Sequence, residues 1–279
     1  MQKEKIKRIL PTSIWRAGSQ AYWWWHNRGR HVSSRLTSPV WRCNRKQMLV
    51  YENIHAGKRA FIIGNGPSLK HMDLGLLKNE ITFGLNRIYL AFPEIGFSTT
   101  YLVSVNDLVL EQCAKEMAKL NVPKWITWRA HKHFKPDGKT HFIDSDYTGA
   151  EDFNHTCLSG RFFEGFTVTY VALQIAYLMG IREAILIGVD HNFSTKGPAN
   201  TVVVSTGDDP NHFSGKYFGR GFKWQLPDLE GSERAYHLAY NTYKANGRSI
   251  LDATVNGKLT IFDKVNFTTL FSQNGKGKA

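Results

Sequence analysis

His212 sits in the run Asp208-Asp209-Pro210-Asn211-His212-Phe213-Ser214-Gly215, with two carboxylates close behind it. A carboxylate neighbour raises imidazole basicity, and a neutral imidazole accepts a proton from a hydroxyl at physiological pH. General-base chemistry on a sugar hydroxyl is one reading of His212, and a plain loop histidine is the other. His191, next to Asp190, has a comparable claim as a ligand-orienting residue. A second candidate is residues 60–69, Ala-Phe-Ile-Ile-Gly-Asn-Gly-Pro-Ser-Leu, which read as a buried strand entering a turn. Gly64 and Gly66, flanking Asn65, permit positive φ and would let backbone N–H groups approach a phosphate or nucleotide. Pro67 and Ser68 suit a helix start, so the turn would sit at a helix N-terminus, a ready anion site. A merely tight structural turn is the alternative, because the third glycine of a dinucleotide fingerprint and the Gly-Lys-Ser/Thr of a Walker loop are missing.

More polar residues follow apolar runs. Asn86 comes after Ile-Thr-Phe-Gly-Leu, Asn106 and Asp107 after Leu-Val-Ser-Val, and Asp190-His191-Asn192 after Ala-Ile-Leu-Ile-Gly-Val. Taken singly each is an ordinary turn former. Repeated beyond several strands, they mark the carboxyl edge of a parallel sheet, where such architectures bind ligands.

The elements that would carry these residues alternate. Strands are expected at 59–63, 81–85, 100–105, 124–128, 184–187, 249–252 and 258–262, and helices at 68–77, 108–120, 167–179 and 232–246. The third helix is the clearest, with Val168, Val171, Ala172, Ile175, Ala176 and Met179 at helical spacing and Gly180 closing it. This is the pattern of an α/β fold, a single Rossmann-like domain with a mainly parallel sheet flanked by helices. Residues 190–227 break the rhythm with Gly, Asn, Asp, Pro and aromatics, and read as a lid over the site. The division expected is an arm over 1–58 and a Rossmann-like domain over 59–279.

The net charge of +13 is unevenly placed. Residues 1–59 hold 13 Lys/Arg against two acids, Glu4 and Glu52, together with five of the eight tryptophans, Trp15, Trp23, Trp24, Trp25 and Trp41. Basic residues interleaved with Trp and Tyr suit a lipid headgroup region, so an anionic membrane surface is the expected partner of residues 1–45. A helical arm packed on the domain or on a second subunit is the alternative, and homo-oligomerisation stays open. Nucleic acid is not expected, because the aromatics are clustered rather than spread as stacking platforms. Cys43, Cys113 and Cys157 lie far apart and form no disulfide or thiolate framework. No apolar run reaches the length of a membrane span and no secretory signal is read, so a cytoplasmic protein, peripheral to the inner face of the membrane, is expected. Zinc-protease, calcium-loop and nucleophile-elbow patterns are absent, no Asp-x-Asp pair is read as a metal site, and Asp208-Asp209 reads as solvated, so no metal is expected.

Ile62-Ile63-Gly64-Asn65-Gly66-Pro67-Ser68-Leu69, then Asn86, Asn106, Gly188-Val189-Asp190 and Asn211-His212-Phe213-x-Gly215 carry a resemblance. In this order, across roughly residues 59–267, they resemble bacterial sialyltransferases of glycosyltransferase family 42. They are similar, too, to the wider group named for a methanopterin-pathway pyrophosphokinase-like domain. The sialyltransferase resemblance implies one Rossmann-like domain with a lid, a CMP-activated nonulosonic acid as co-substrate, no cofactor and inversion at the anomeric carbon. Gly64, Asn65, Gly66 and Ser68 would hold the donor nucleotide, and Asn86 and Asn106 its ribose, phosphate or sugar. Thr167 would line the cytidine pocket with Asp190 at its edge and His191 beside it. His212 would be the general base acting on a hydroxyl of a glycan acceptor, in lipopolysaccharide or capsule synthesis. Lys196, Lys216 or Tyr217 would steady the departing phosphate. The pyrophosphokinase resemblance implies instead diphosphate transfer from ATP, with Asp107 and Asp190 holding magnesium. A catalytically silent nucleotide-binding protein at the membrane is a third reading.

Overall fold

The computed structural model describes residues 35, 37–149 and 151–272. Most of the expected membrane-binding arm, residues 1–34 and 36, lies outside them. The chain divides into two compact units, Met1–Asn44 and Arg45–Ala279. In the first, the described residues open helix α1 (Pro39–Leu49), and the Arg35 guanidinium lies 5.5 Å from the Trp41 ring centroid.

The second unit is built on a nine-stranded sheet. Its strands are β1 (Arg59–Ile63), β2 (Ile81–Leu85), β3 (Tyr101–Ser104), β4 (Lys124–Thr127), β5 (Thr140–Asp146), β6 (Arg161–Phe163), β7 (Glu183–Ile187), β10 (Ser249–Asp252) and β11 (Asp263–Lys264). Their order is β11-β10-β7-β1-β2-β3-β4-β5-β6, and every neighbouring pair is parallel. The remaining two, β8 (Val202–Val204) and β9 (Lys223–Gln225), pair antiparallel in the lid region. The helices are α2 (Phe92–Ile95), α3 (Asp107–Ala118), α4 (Val168–Leu178) and α5 (Leu229–Ala245). This is a Rossmann-like α/β architecture.

Strands covered on both faces must be apolar throughout, and β1, Arg-Ala-Phe-Ile-Ile, and β7, Glu-Ala-Ile-Leu-Ile, are buried at every position after the first. Helix α4 is buried from Thr169 to Leu178 and packs on β1, β2, β3 and β6. Helix α5 lies against it, where the Tyr243 hydroxyl donates to the Leu173 carbonyl at 2.8 Å. The chain runs outward from β1 to β6, returns to β7 on the other side of β1, and continues to β10. Strand order therefore reverses between β1 and β7, and the crevice beyond their carboxyl ends is where an open parallel sheet takes a ligand.

Several expected elements differ. Residues 68–77 form two 3₁₀ turns, Pro67–His71 and Leu74–Leu77, rather than one helix. Met72 between them is extended, and the Asp73 carboxylate caps Gly75 to start a fresh turn. Residues 258–262 are irregular, and the strand there is Asp263–Lys264. β5 and β6 have no counterpart in the sequence reading: β5 ends in Asp-Ser-Asp and β6 has only three residues. Among the described residues no helix is long and apolar enough to cross a membrane.

Below the sheet core, Tyr51, Trp125 and His141 pack together, with His141 only 1% exposed. Its Nε2 is 3.2 Å from the Tyr51 hydroxyl, and its Nδ1 is buried without a partner. Burial pulls the His141 imidazole down to about 4. The unfolded chain takes up this proton near pH 6.5 and the folded chain does not, so stability is lost as pH falls from about 6.5 towards 4. Urea unfolding across this range should show a loss of about 3 kcal/mol that His141→Gln removes. Parallel pH profiles for the two proteins would eliminate this assignment.

Candidate functional site

Two loops meet at the reversal point. After β1, Gly64 N–H donates to the Ile187 carbonyl at 2.8 Å and Gly66 N–H to the Gly188 carbonyl at 2.9 Å. Asp190 then closes the join: Oδ1 accepts from the Ser68 amide at 3.0 Å and Oδ2 from the Ser68 hydroxyl at 2.6 Å. Burial pushes the Asp190 carboxyl above the usual range, against the pull of the Ser68 donors. The glycines are needed for contact: a Cβ on Gly64 would strike the Gly188 carbonyl oxygen, and one on Gly66 the Asp190 carboxylate. The expected positive φ is not found, since Gly66 has φ −67° and Gly64 is not among the positive-φ residues. The turn is thus a packing joint, its Gly64, Gly66 and Ser68 amides spent on β7 and the loop after it.

A cavity of about 190 Å³ opens beside this joint. It is lined by Gly64, Asn65 and Gly66 from the first loop, Asn86 after β2, Asn106 after β3, Thr167 before α4, Asp190 and His191 after β7, and His212 from the lid. Of the residues read as holding the donor nucleotide, Ser68 alone stays out of the wall, acting through Asp190. An adjoining groove of about 620 Å³ shares Asn86, Asn106, Thr167 and His212.

Three helices aim their N-termini here. The Asn106 side chain caps α3 by accepting from Val109 N–H at 3.1 Å, Thr167 caps α4, and the Asp228 carboxylate caps α5 by accepting from Gly231 N–H at 2.8 Å. Convergent helix N-termini favour negative charge, which makes these ends a candidate anion site beside the glycine turn. Asn86, Phe166 and His191, all in the wall, hold positive φ of 47°, 63° and 53°. For phenylalanine above all this is strained backbone, which persists where the surroundings over-determine it. Asn65 donates its side-chain N–H to the Leu85 carbonyl at 3.0 Å, leaving Oδ1 buried and unpartnered.

The lid supplies a dyad. His212 Nδ1–H donates to Asp209 Oδ2 at 2.6 Å, while Asp209 also accepts from the amides of Asn211 and Phe218. With Nδ1 committed, Nε2 is the nitrogen offered to a ligand. The imidazole stacks on Tyr217, centroids 4.0 Å apart and planes 10° from parallel. Arg87 fixes Tyr217 in turn: it donates to the Tyr217 and Lys216 carbonyls and lies over the Tyr217 ring. Tyr217 thus lines the cavity, whereas Lys196 and Lys216 do not. Asp209, rather than Asp208, is the partner, and Arg87 is a component that its place one residue after Asn86 gives no reason to suspect. His191 Nε2 is bound to Glu233 at 2.8 Å.

The acidic residues read as magnesium ligands each have a protein partner. Asp107 is paired with Arg129 at 3.0 Å, and Asp190 with Ser68. The sequence does hold an Asp-x-Asp, Asp144-Ser145-Asp146 in β5, but its carboxylates face Arg161 at 3.4 and 3.9 Å and line neither cavity. Among the described residues no group of three or more His, Cys, Asp or Glu converges as a metal site.

The family model described as 6-hydroxymethylpterin diphosphokinase MptE-like matches residues 42–196. No curated protein matches the chain. Among solved structures, the chain is similar to the MAf glycosyltransferase from Magnetospirillum magneticum AMB-1, at 13% identity and a TM-score of 0.50 over 80% of this chain. It spans only 38% of that enzyme's length, and the likeness is one of fold. A mammalian sialyltransferase in complex with Gal-beta-1-3GalNAc-ortho-nitrophenol aligns at 12% identity and a TM-score of 0.38, over 86% of each chain.

The joint can be tested by filling it. Gly66→Ala should cost about 2–3 kcal/mol in urea unfolding, through collision with Asp190. A change below about 0.5 kcal/mol would mean that the turn has room to spare.

Proposed function

The chain belongs to the 6-hydroxymethylpterin diphosphokinase MptE-like family, and from that premise and the cleft geometry we propose a group transferase in which His212 deprotonates an acceptor hydroxyl. The Asp209–His212 dyad, whose imidazole shares a cavity with three helix N-termini, carries this reading. Within it the donor is a CMP-sugar, a nonulosonic acid of the sialic-acid kind, and the acceptor a bacterial surface glycan. Asp209 holds the ring in the tautomer whose Nε2 is a free base. Nε2 takes the hydroxyl proton as the oxygen attacks the anomeric carbon of the donor. The bond from that carbon to the phosphate oxygen breaks, and CMP leaves with the electron pair. Attack opposite the leaving group inverts the anomeric centre. The N-termini of α3 and α4 stabilise the phosphate charge, so the step requires no metal. The basic, Trp-rich segment would keep the enzyme at the inner face of the membrane, near a lipid-linked acceptor.

The family description favours a second reading, diphosphate transfer from ATP to a pterin hydroxyl. Its magnesium would fall to Asp107 and Asp190. Both already have protein partners, which is why the glycosyl reading is preferred.

A nucleotide panel separates the two, because ligand bound to the native state raises the melting temperature. CMP should shift it more than ATP or NAD, and transfer should survive EDTA. A larger ATP shift with EDTA-sensitive turnover would transfer the assignment to the diphosphokinase. His212→Ala should lower turnover about 10²–10⁴-fold with the CMP shift intact. Undiminished turnover in that variant would remove His212 from the chemistry.

A further inference from the structure

The 620 Å³ groove beside the dyad lies within the roughly 300–1,000 Å³ of small-ligand sites, and no step above uses its far end. That end is built around Tyr147, which is 39% exposed. The Arg129 guanidinium lies 4.6 Å from its ring centroid. Arg129 is nearly buried and held on all sides: Nε by Asp107 at 3.0 Å, one terminal nitrogen by Glu164 at 2.8 Å and the Val105 carbonyl at 3.0 Å, the other by the Ser145 carbonyl at 3.1 Å. Tyr147 is therefore a flat aromatic surface on a fixed cation, not a loose surface ring.

The surroundings decide what such a platform accepts. The positive charge of Arg129 is already matched by Asp107 and Glu164, and Asp228 adds a further carboxylate to the wall. Arg129 thus offers an incoming phosphate no unmatched charge. Asp107, with its side chain 60% exposed, offers acceptor lone pairs, and the exposed amides of Asn200 and Gln225 offer both donors and acceptors. An aromatic face ringed by carboxylate and amide groups fits a neutral polyol with one apolar ring face and hydroxyls at its edge.

We infer that this groove is the acceptor subsite and that it takes a saccharide ring stacked on Tyr147, one hydroxyl reaching His212 at the shared wall. This deepens the glycosyl-transfer reading and rests on it for the role of acceptor, but binding of the saccharide can be measured without any donor.

Saturation-transfer NMR with methyl β-D-galactoside and lactose on the full chain should show transfer to the sugar protons. The signal should persist in Tyr147→Phe, which keeps the face, and fall about tenfold in Tyr147→Ala at an unchanged melting temperature. In transfer assays the same Ala variant should raise acceptor KM about tenfold and leave kcat and the CMP shift unaltered. Absence of glycoside binding to the native protein, or equal binding in Tyr147→Ala, overturns the subsite. So does Tyr147-dependent binding of 6-hydroxymethylpterin in place of the glycosides. Tyr147-dependent glycoside binding without turnover of any CMP-sugar would uphold the groove and sink the transfer reaction instead.

Discussion

Everything at the cleft depends on how closely two backbone turns approach at the point where the sheet reverses its strand order. Gly64 and Gly66 lie against Gly188 and Asp190 with no space for a side chain. The amides that such a turn would otherwise show to a ligand are spent on the Ile187 and Gly188 carbonyls and on Asp190. A join this tight fixes the carboxyl ends of β1 and β7 relative to each other. It thereby fixes the starting points of both the Asn65 loop and the lid that follows His191. The segment carrying the lid histidine leaves the sheet from this point.

The same economy organises the charge. The cavity receives three helix N-termini, and its wall carries Asn65, Asn86 and Asn106 together with two carboxylates, Asp190 held by Ser68 and Asp228 capping α5. The groove sets Asp107 and Glu164 around Arg129 and shares Asp228 with the cavity. The compartments differ in that the Arg129–Asp107–Glu164 cluster, its charges already paired, belongs to the groove wall and not to the cavity. Of the positive-φ residues in the cavity wall, Asn86 and Phe166 also line the groove, so left-handed backbone stands where the two compartments share a wall.

Much of the frame was legible in the chain. Runs such as Ala-Phe-Ile-Ile and Ala-Ile-Leu-Ile are apolar without alternation, as strands covered on both faces must be, and the polar residues just beyond them line the cavity. The glycine turn was legible as a special place but not for its reason. Glycine permits both positive φ and close approach, and only the position of Asp190, some 120 residues away, distinguishes them. β5 escaped because polar residues, Thr140, His141, Asp144, Ser145 and Asp146, break its apolar run, and β6 because it has only three residues. Arg87 and Tyr147 carry no local pattern, since each gains its meaning from a contact distant in sequence.

The lid is a fixture rather than a loose flap, which follows from where it is tied. Phe213 N–H donates to the Asn65 carbonyl at 2.8 Å, one residue from His212. Lys223 exchanges two hydrogen bonds with the Gln112 side chain on α3, at 2.8 and 2.9 Å. Arg87, after β2, grips the Lys216 and Tyr217 carbonyls. Three elements of the sheet layer thus hold one histidine, and each tie uses a backbone group of the lid, so the position is specified largely independently of lid side chains. This leaves the lid free to vary in the residues that face a ligand while His212 and Asp209 keep their geometry. In the proposed transfer reaction, such a scaffold would leave the choice of donor to the compartment walls and not to the dyad.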